Sequence, residues 1–216
     1  MSSKQSFFEN KSKDIIYNLK NNILNSKIEI DRDDIFLQVV TSDYINDDNI
    51  ISLLSHWRSK SQHAFLKVFP VTDEGTKRWL KHGVIEREDR ILFLVSNRNG
   101  DFIGHIGLSS FDFSHKTCEI DNVIKSPECK DKGIFTDVTN FLLKWTKENL
   151  GPDKIKLRVF SDNAKALALY NRVGFIPTSL VTFKKVIDGE IIEWIESDSN
   201  VDRCFLVMEK GFNEYD

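Results

Sequence analysis

The chain has 216 residues, 40% apolar and 29% charged, with a formal net charge of −3, which suits one globular domain with a real core and leaves little room for a second. The scattered basic residues and near-neutral balance set aside a nucleic-acid partner. No apolar run reaches bilayer length and "MSSKQSFFENKSKD" lacks the core of a secretory signal, so the expectation is a cytoplasmic chain with no membrane partner. Cys118, Cys129 and Cys204 are odd in number and form no CxxC pair, so three reduced thiols are expected, with no metal.

In chain order, residues 1–33 read as an N-terminal amphipathic helical extension, because Phe8, Ile15, Ile16, Leu19, Ile23 and Leu24 recur at helical spacing across 1–30. "DIFLQVVT", 34–41, is a strand by its β-branched and aromatic content, and 47–57 reads as a helix. Pro70 breaks the next stretch; Thr72, with Asp73 and Glu74 behind it, restarts the chain as a helix over about 73–82. "RILFLVSNRNGDFIGHIGLSSFD" makes two strands around Asn-Gly, which supplies the positive φ angles a tight hairpin needs. "KTCEIDNVIK", 116–125, is the next strand. A helix beginning near Thr136, the strand "KIKLRVF", the helix "DNAKALALYNRVG" and final strands with "VIDGEII" as a second hairpin follow. The order predicts an α+β fold, a mixed, mostly antiparallel central sheet flanked by helices.

Gly133 lies between the strand ending near Lys125 and the helix beginning near Thr136. A helix start carries unpaired N–H groups and positive dipole, so a loop without side chains there can hold phosphate oxygens; a glycine that merely turns the chain reads the same way.

The wider context decides between them. "NVIKSPECKDKGIFTDVTNFLLKW", then "IKLRVFSDNAKALALYNRVGF", resembles the acyl-CoA-binding half of the GNAT superfamily of N-acetyltransferases. The resemblance covers roughly 35–210, which makes 34–216 the GNAT-like acetyltransferase domain. The family's Gln/Arg-x-x-Gly-x-Gly/Ala loop is matched by Lys130, Gly133 and Phe135: Lys130 keeps a cation without the planar fork, and Phe135 replaces a small residue. "KGIFTD" is similar to loops in the branch of ribosomal-protein alanine acetyltransferases and nucleotide-sugar amine acetyltransferases. The signature N-x-x-A-x-x-L-Y-x-x-x-G-F is met by Asn163, Ala166, Leu169, Tyr170, Gly174 and Phe175. The resemblance implies acetyl-CoA as acyl donor, with its pyrophosphate beside Lys130 and against the amides of Asp131, Lys132, Gly133, Ile134, Phe135 and Thr136. It also implies contacts from the backbone of Asn122 and Val123, and from Asn163, to the pantetheine arm.

Moving acetyl from a thioester to an amine requires a neutral amine, a stabilised oxyanion and a proton for the departing thiolate. Strand alternation sends Glu119, Asp121 and Val123 to one face and Ile120, Asn122 and Ile124 to the other. Glu119 holds the position where the family places a carboxylate that takes the amine's proton, with Asp121 in reserve; the same pair could be a solvated strand face. By resemblance Tyr170 protonates the thiolate, although helical spacing alone would make it a core aromatic and Asn163 a cap. No cysteine has a base near it in sequence, so transfer is expected to be direct.

The acceptor is expected between Trp57, Arg58, His63, Phe65 and Trp79, an aromatic and basic set fit to stack a planar base or meet a diphosphate, with His105 as a further contact. The long terminal hairpin resembles those of nucleotide-sugar amine acetyltransferases. The expected acceptor is therefore a small-molecule primary amine, the amino group of a nucleotide-linked amino sugar. Acetylation of a protein N-terminus and an acyl-CoA-binding module without turnover are the alternatives, and a homodimer is left open.

Overall fold

The computed structural model describes residues 3–30 and 34–212. The boundary drawn at 33/34 falls beside residues 31–33, which lie outside those described.

Helix α1, Ser3–Lys20, buries Phe8, Ser12, Ile16 and Leu19 along one face and packs Phe8 against Phe111 and Phe113. The expected continuation to residue 30 does not occur. Asn22 takes φ 56°, and Asn22 N donates to Leu19 O while Ile23 N donates to Asn18 O, a Schellman stop with asparagine in the left-handed position. Ile23 and Leu24 are exposed, and Lys27–Glu29 forms strand β1 instead. At the end of α1, Lys20 turns inward: its Nζ donates to Val84 O (2.6 Å) and Arg87 O (2.6 Å), and burial lowers its pKa to about 8.

Strand β2 is Ile35–Val39. Helix α2, Asp48–Lys60, starts at Asp47, whose carboxylate accepts from Asn49 N and Ile50 N. A two-residue strand β3, Lys67–Val68, precedes α3, Asp73–Arg78, capped by Thr72. The expected helix over 73–82 continues as a wider π-helical turn, Trp79–Ile85, in which Gly83 makes room for Trp79: a β-carbon there would stand 2.9 Å from the indole Cδ1.

Strands β4 (Ile91–Asn97), β5 (Phe102–Asp112) and β6 (Thr117–Lys125) form the meander. Helix α4 (Ile134–Asn149), β7 (Lys154–Phe160), α5 (Ala164–Arg172), β8 (Ile176–Asp188), β9 (Ile191–Glu196) and β10 (Arg203–Gly211) complete the chain. All the strands join one sheet in the order β1-β2-β4-β5-β6-β7-β10-β8-β9-β3. Among the described residues its one parallel contact is β6 with β7, so the sheet is mixed and mostly antiparallel, as expected.

Both faces are covered, which is why β4 reads as the continuous run "ILFLV". Ile91, Phe93 and Val95 join the core under α1, α4 and α5, while Leu92 and Leu94 meet Trp57, Leu80 and Val84 from α2 and the π turn. A third cluster of Phe160, Phe183 and Phe205 supports the terminal hairpin, whose β9 pairs with β3 and so closes over the α2–α3 segment.

Candidate active site

The parallel contact of β6 with β7 is three pairs long, Thr117 with Lys154, Cys118 with Ile155 and Glu119 with Lys156. Beyond them the strands part. The divergence begins beside a bulge: Asn122 takes φ 52°, and the pairing of β6 with β5 slips between Gly107–Asp121 and His105–Ile124. The extra residue overturns the expected alternation. Ile120 and Val123 pack into the core under α4, whereas Ile124 packs on the opposite face with Trp57 and Leu80.

Two cavities meet across this bulge. The first, about 360 Å³, fills the gap between β6 and β7 and is lined by Glu119, Asp121, Val123, Asn163 and Tyr170 among others. The second, about 330 Å³, lies under α2 and α3 and is walled by Phe65, Phe69, Trp79, Arg90, His105 and Asp121 among others. Arg58, Phe65, Asp121 and Asn122 belong to both walls.

The carboxylates are held differently. Glu119 lines only the groove, and its Oε2 accepts from Arg158 Nε (3.2 Å) and Nη2 (3.0 Å). Asp121 sits at the junction: Oδ2 lies 3.0 Å from Arg90 Nη2 and accepts from Ser109 Oγ at 3.1 Å, and Oδ1 accepts from Asn122 N at 2.6 Å. Arg90 also donates from Nη1 to Gly83 O (3.1 Å), which ties Asp121 to the π turn. The Asn122 carbonyl lies 2.6 Å from His105 Nδ1; a carbonyl can only accept, so Nδ1 carries the proton. Both main-chain groups of Asn122 are therefore engaged within the chain.

His105 is buried, and that burial pushes its pKa down to about 4, so the imidazole facing the cavity is neutral at pH 7. Tyr170 is 7% exposed, edge-on to Phe175 (6.1 Å) and open to the groove. Burial, then the nearby charge of Asp121, raises its pKa well above 10, so the phenol keeps its proton. Asn163 caps α5, its side chain accepting from Ala166 N, and it lines the groove.

At the other end of the groove-forming strand, Gly133 is the N-cap of α4 with φ 82°, and no atom lies within 4 Å of where its β-carbon would stand. Lys130, Asp131, Lys132 and Gly133 are exposed, and Ile134 and Phe135 are buried behind them. The helix therefore begins two residues before Thr136, whose N already donates to Gly133 O (2.8 Å), so the backbone this end can offer an anionic ligand stops at Phe135 and the expected Thr136 amide is taken. Lys125 Nζ donates to Asp131 O (2.6 Å), holding the loop, and Arg172 Nη1 reaches Thr136 Oγ1 (3.3 Å). Arg172 adds a cation that motif reading missed.

Two of the acceptor residues named from sequence lie elsewhere. Trp57 is fully buried among the apolar residues under α2, its ring 5.9 Å from that of His105, and His63 is exposed and lines neither cavity. Phe69 and Arg90 line the cavity unannounced, since neither sits in a motif. Cys118 is buried, which pushes its thiol pKa far up and makes it a poor nucleophile. Among the described residues no cluster of side chains could hold a metal ion, and no helix is long and apolar enough to cross a membrane.

The family model described as "Acetyltransferase (GNAT) family" matches residues 53–175. The spermidine N(1)-acetyltransferase of Vibrio cholerae serotype O1 is 26% identical over 168 residues, 78% of this chain and 87% of that protein. Among solved structures, the V. cholerae spermidine N-acetyltransferase in complex with CoA and spermine aligns with a TM-score of 0.61 at 19% identity, covering 82% of this chain and 95% of that one. The microcin C7 self-immunity acetyltransferase MccE in complex with acetyl-CoA and AMP aligns with a TM-score of 0.68 at 16% identity, covering 88% and 98%.

Proposed function

The chain belongs to the acetyltransferase (GNAT) family and is an acetyl-CoA-dependent N-acetyltransferase, and we propose that it acetylates, by direct transfer, a primary amine carried on a nucleotide, as in a nucleotide-linked amino sugar. The observation that supports this reading is the junction: a groove beside the α4 loop and a separate aromatic cavity share the wall of Arg58, Phe65, Asp121 and Asn122. Acetyl-CoA lies in the groove with its pyrophosphate on the amides of 131–135, and the acceptor enters from the cavity. Thioester and amine then meet at Asp121.

In this mechanism Asp121, rather than Glu119, takes the ammonium proton directly or through water, because it alone of the two borders both cavities. The amine nitrogen attacks the thioester carbonyl, the C–S bond breaks, and Tyr170 gives its proton to the leaving thiolate; the nitrogen's second proton passes through solvent to restore Tyr170, and the proton on Asp121 is released to solvent. Glu119 with Arg158 shapes the groove.

A polyamine is the second reading, supported by the names of the relatives. Against it stand the charges: the acceptor cavity is lined by two cations, Arg58 and Arg90, and its one carboxylate, Asp121, is already paired. A polycation would meet repulsion there, whereas a phosphate would be welcome. Release of free coenzyme A, followed with a panel of nucleotide-linked amino sugars, aminoacyl nucleotides, spermidine and N-terminal peptides, tests the assignment. Turnover highest with a nucleotide-linked amine is expected; spermidine as the best acceptor would replace the reading.

A further inference from the structure

We propose that Arg58 is the specificity-determining residue of the acceptor cavity, and that it recognises an oxyanion, phosphate or carboxylate, carried by the acceptor beside its amine. This rests on the reading above that the 330 Å³ cavity takes the acceptor.

Arg58 stands near the end of α2, on the wall common to both cavities. Its guanidinium is fixed before any ligand arrives. The group lies 3.8 Å from the centre of the Phe65 ring and 5.1 Å from that of Phe69, and Nη2 donates to Lys67 O at 2.6 Å. Nη1 is different: it is buried and has no hydrogen-bond partner among the described residues. Among the described residues no carboxylate pairs with this guanidinium either. The acid nearest in function, Asp121, is taken by Arg90.

A buried donor left unpaired is costly, more so when charged, so such a group is retained where a ligand completes it. Burial lowers the Arg58 pKa to about 10, which still leaves the group fully cationic at neutral pH. Rigid stacking between two rings and one committed N–H leave the other edge preorganised for an oxygen pair.

Acetyl-CoA does not supply that oxyanion. Its phosphates and its thioester lie at opposite ends of the pantetheine arm, and the phosphates belong to the α4 loop in the reading above. The acceptor must bring the charge. A rival role, stabilising the oxyanion of the tetrahedral intermediate, would act in the transition state with every acceptor. Anion recognition acts on binding, and only for acceptors that carry the anion.

The test begins without catalysis. The full chain is saturated with coenzyme A, so that the α4 loop is filled, and AMP, adenosine, inorganic phosphate and acetate are titrated by calorimetry. We expect AMP to bind at least tenfold more tightly than adenosine. Arg58→Gln should erase that difference, and Arg58→Lys should restore part of it. The stronger of phosphate and acetate identifies the oxyanion. Equal affinity of the unaltered protein for AMP and adenosine overturns the proposal even if Arg58→Gln fails to fold. Steady-state rates add a second arm: Arg58→Gln should raise KM for an anionic amine at least tenfold and leave KM for its neutral analogue in place. A fall in kcat alike for both would assign Arg58 to the oxyanion of the intermediate and overturn it. If no amine is acetylated at all, the functional reading fails while the AMP titration still judges Arg58.

Discussion

The ring of Phe135 occupies the space that a β-carbon on residue 104 would claim: built on Gly104, that atom would stand 2.4 Å from Phe135 Cζ and 2.3 Å from Ile124 O. Gly104 takes φ 151° on β5, and its bare backbone admits a large side chain at the loop position where the family carries a small one. Phe135 thereby points into the core beneath the loop and leaves the amides in front of it uncovered. Gly104→Ala is expected to destabilise the fold severely, since one of the two contacts is backbone. Phe135→Ala should cost about 3–5 kcal/mol through the cavity it leaves. Urea unfolding of both variants checks this; a Gly104→Ala protein as stable as the parent would refute the packing.

Asp121→Asn should lower kcat about a hundredfold while acetyl-CoA affinity in calorimetry stays put. Glu119→Gln should fall by less than tenfold, because Glu119 touches only the groove and Arg158. The reverse order of effects would return the base to Glu119.

Tyr170→Phe removes the hydroxyl and keeps the ring that packs on Phe175. Its kcat should drop about a hundredfold or more with stability nearly unchanged. A fully active variant would leave Tyr170 as a core aromatic and nothing else.

His105 gives the fold a pH dependence of definite sign. Its pKa falls from an ordinary 6.5 to about 4 on folding, through burial, against the Asn122 carbonyl and Asp121, which favour the charged form. The unfolded chain therefore binds the proton more readily. Stability is complete above pH 6.5 and is lost between there and about pH 4, by up to about 3 kcal/mol from this group. His105→Gln, which can still donate to Asn122 O, should show a smaller loss between pH 7 and 4.5 in parallel urea titrations. Equal losses would remove His105 as the cause.

The elements that local chemistry specifies were readable in the sequence. Asn-Gly marked the β4–β5 hairpin, although only Gly100 of the pair takes positive φ (87°); Thr72 marked the start of α3, and Asn163 the start of α5. Gly133 marked the loop because its backbone conformation suits glycine. What escaped depends on partners distant in the chain. Nothing in "CEIDNVIK" announces the bulge at Asn122, because the alternation continues through it on paper; the turn exists where the Asn122 carbonyl meets His105. Arg90 could not be assigned to Asp121, nor Lys20 to the end of the π turn, until β4 and α1 were placed. Trp57 looked like a stacking platform by composition, yet its position on α2 turns it to the core.

The three rungs between β6 and β7 leave a seam in the middle of the sheet. Below the seam the two halves are riveted; above it, residues 120–125 and 157–160 are strand borders that face each other instead of a neighbour. A borderless interior is the usual source of a sheet's cohesion, so this one is weakest where its ligand would thread. An extended arm bridging the gap would act as a removable strand, knitting two halves that the chain itself joins only at one end. Amide exchange at 120–125 and 157–160 should therefore slow on addition of coenzyme A, while exchange along β4, whose neighbours are both permanent, stays as it was.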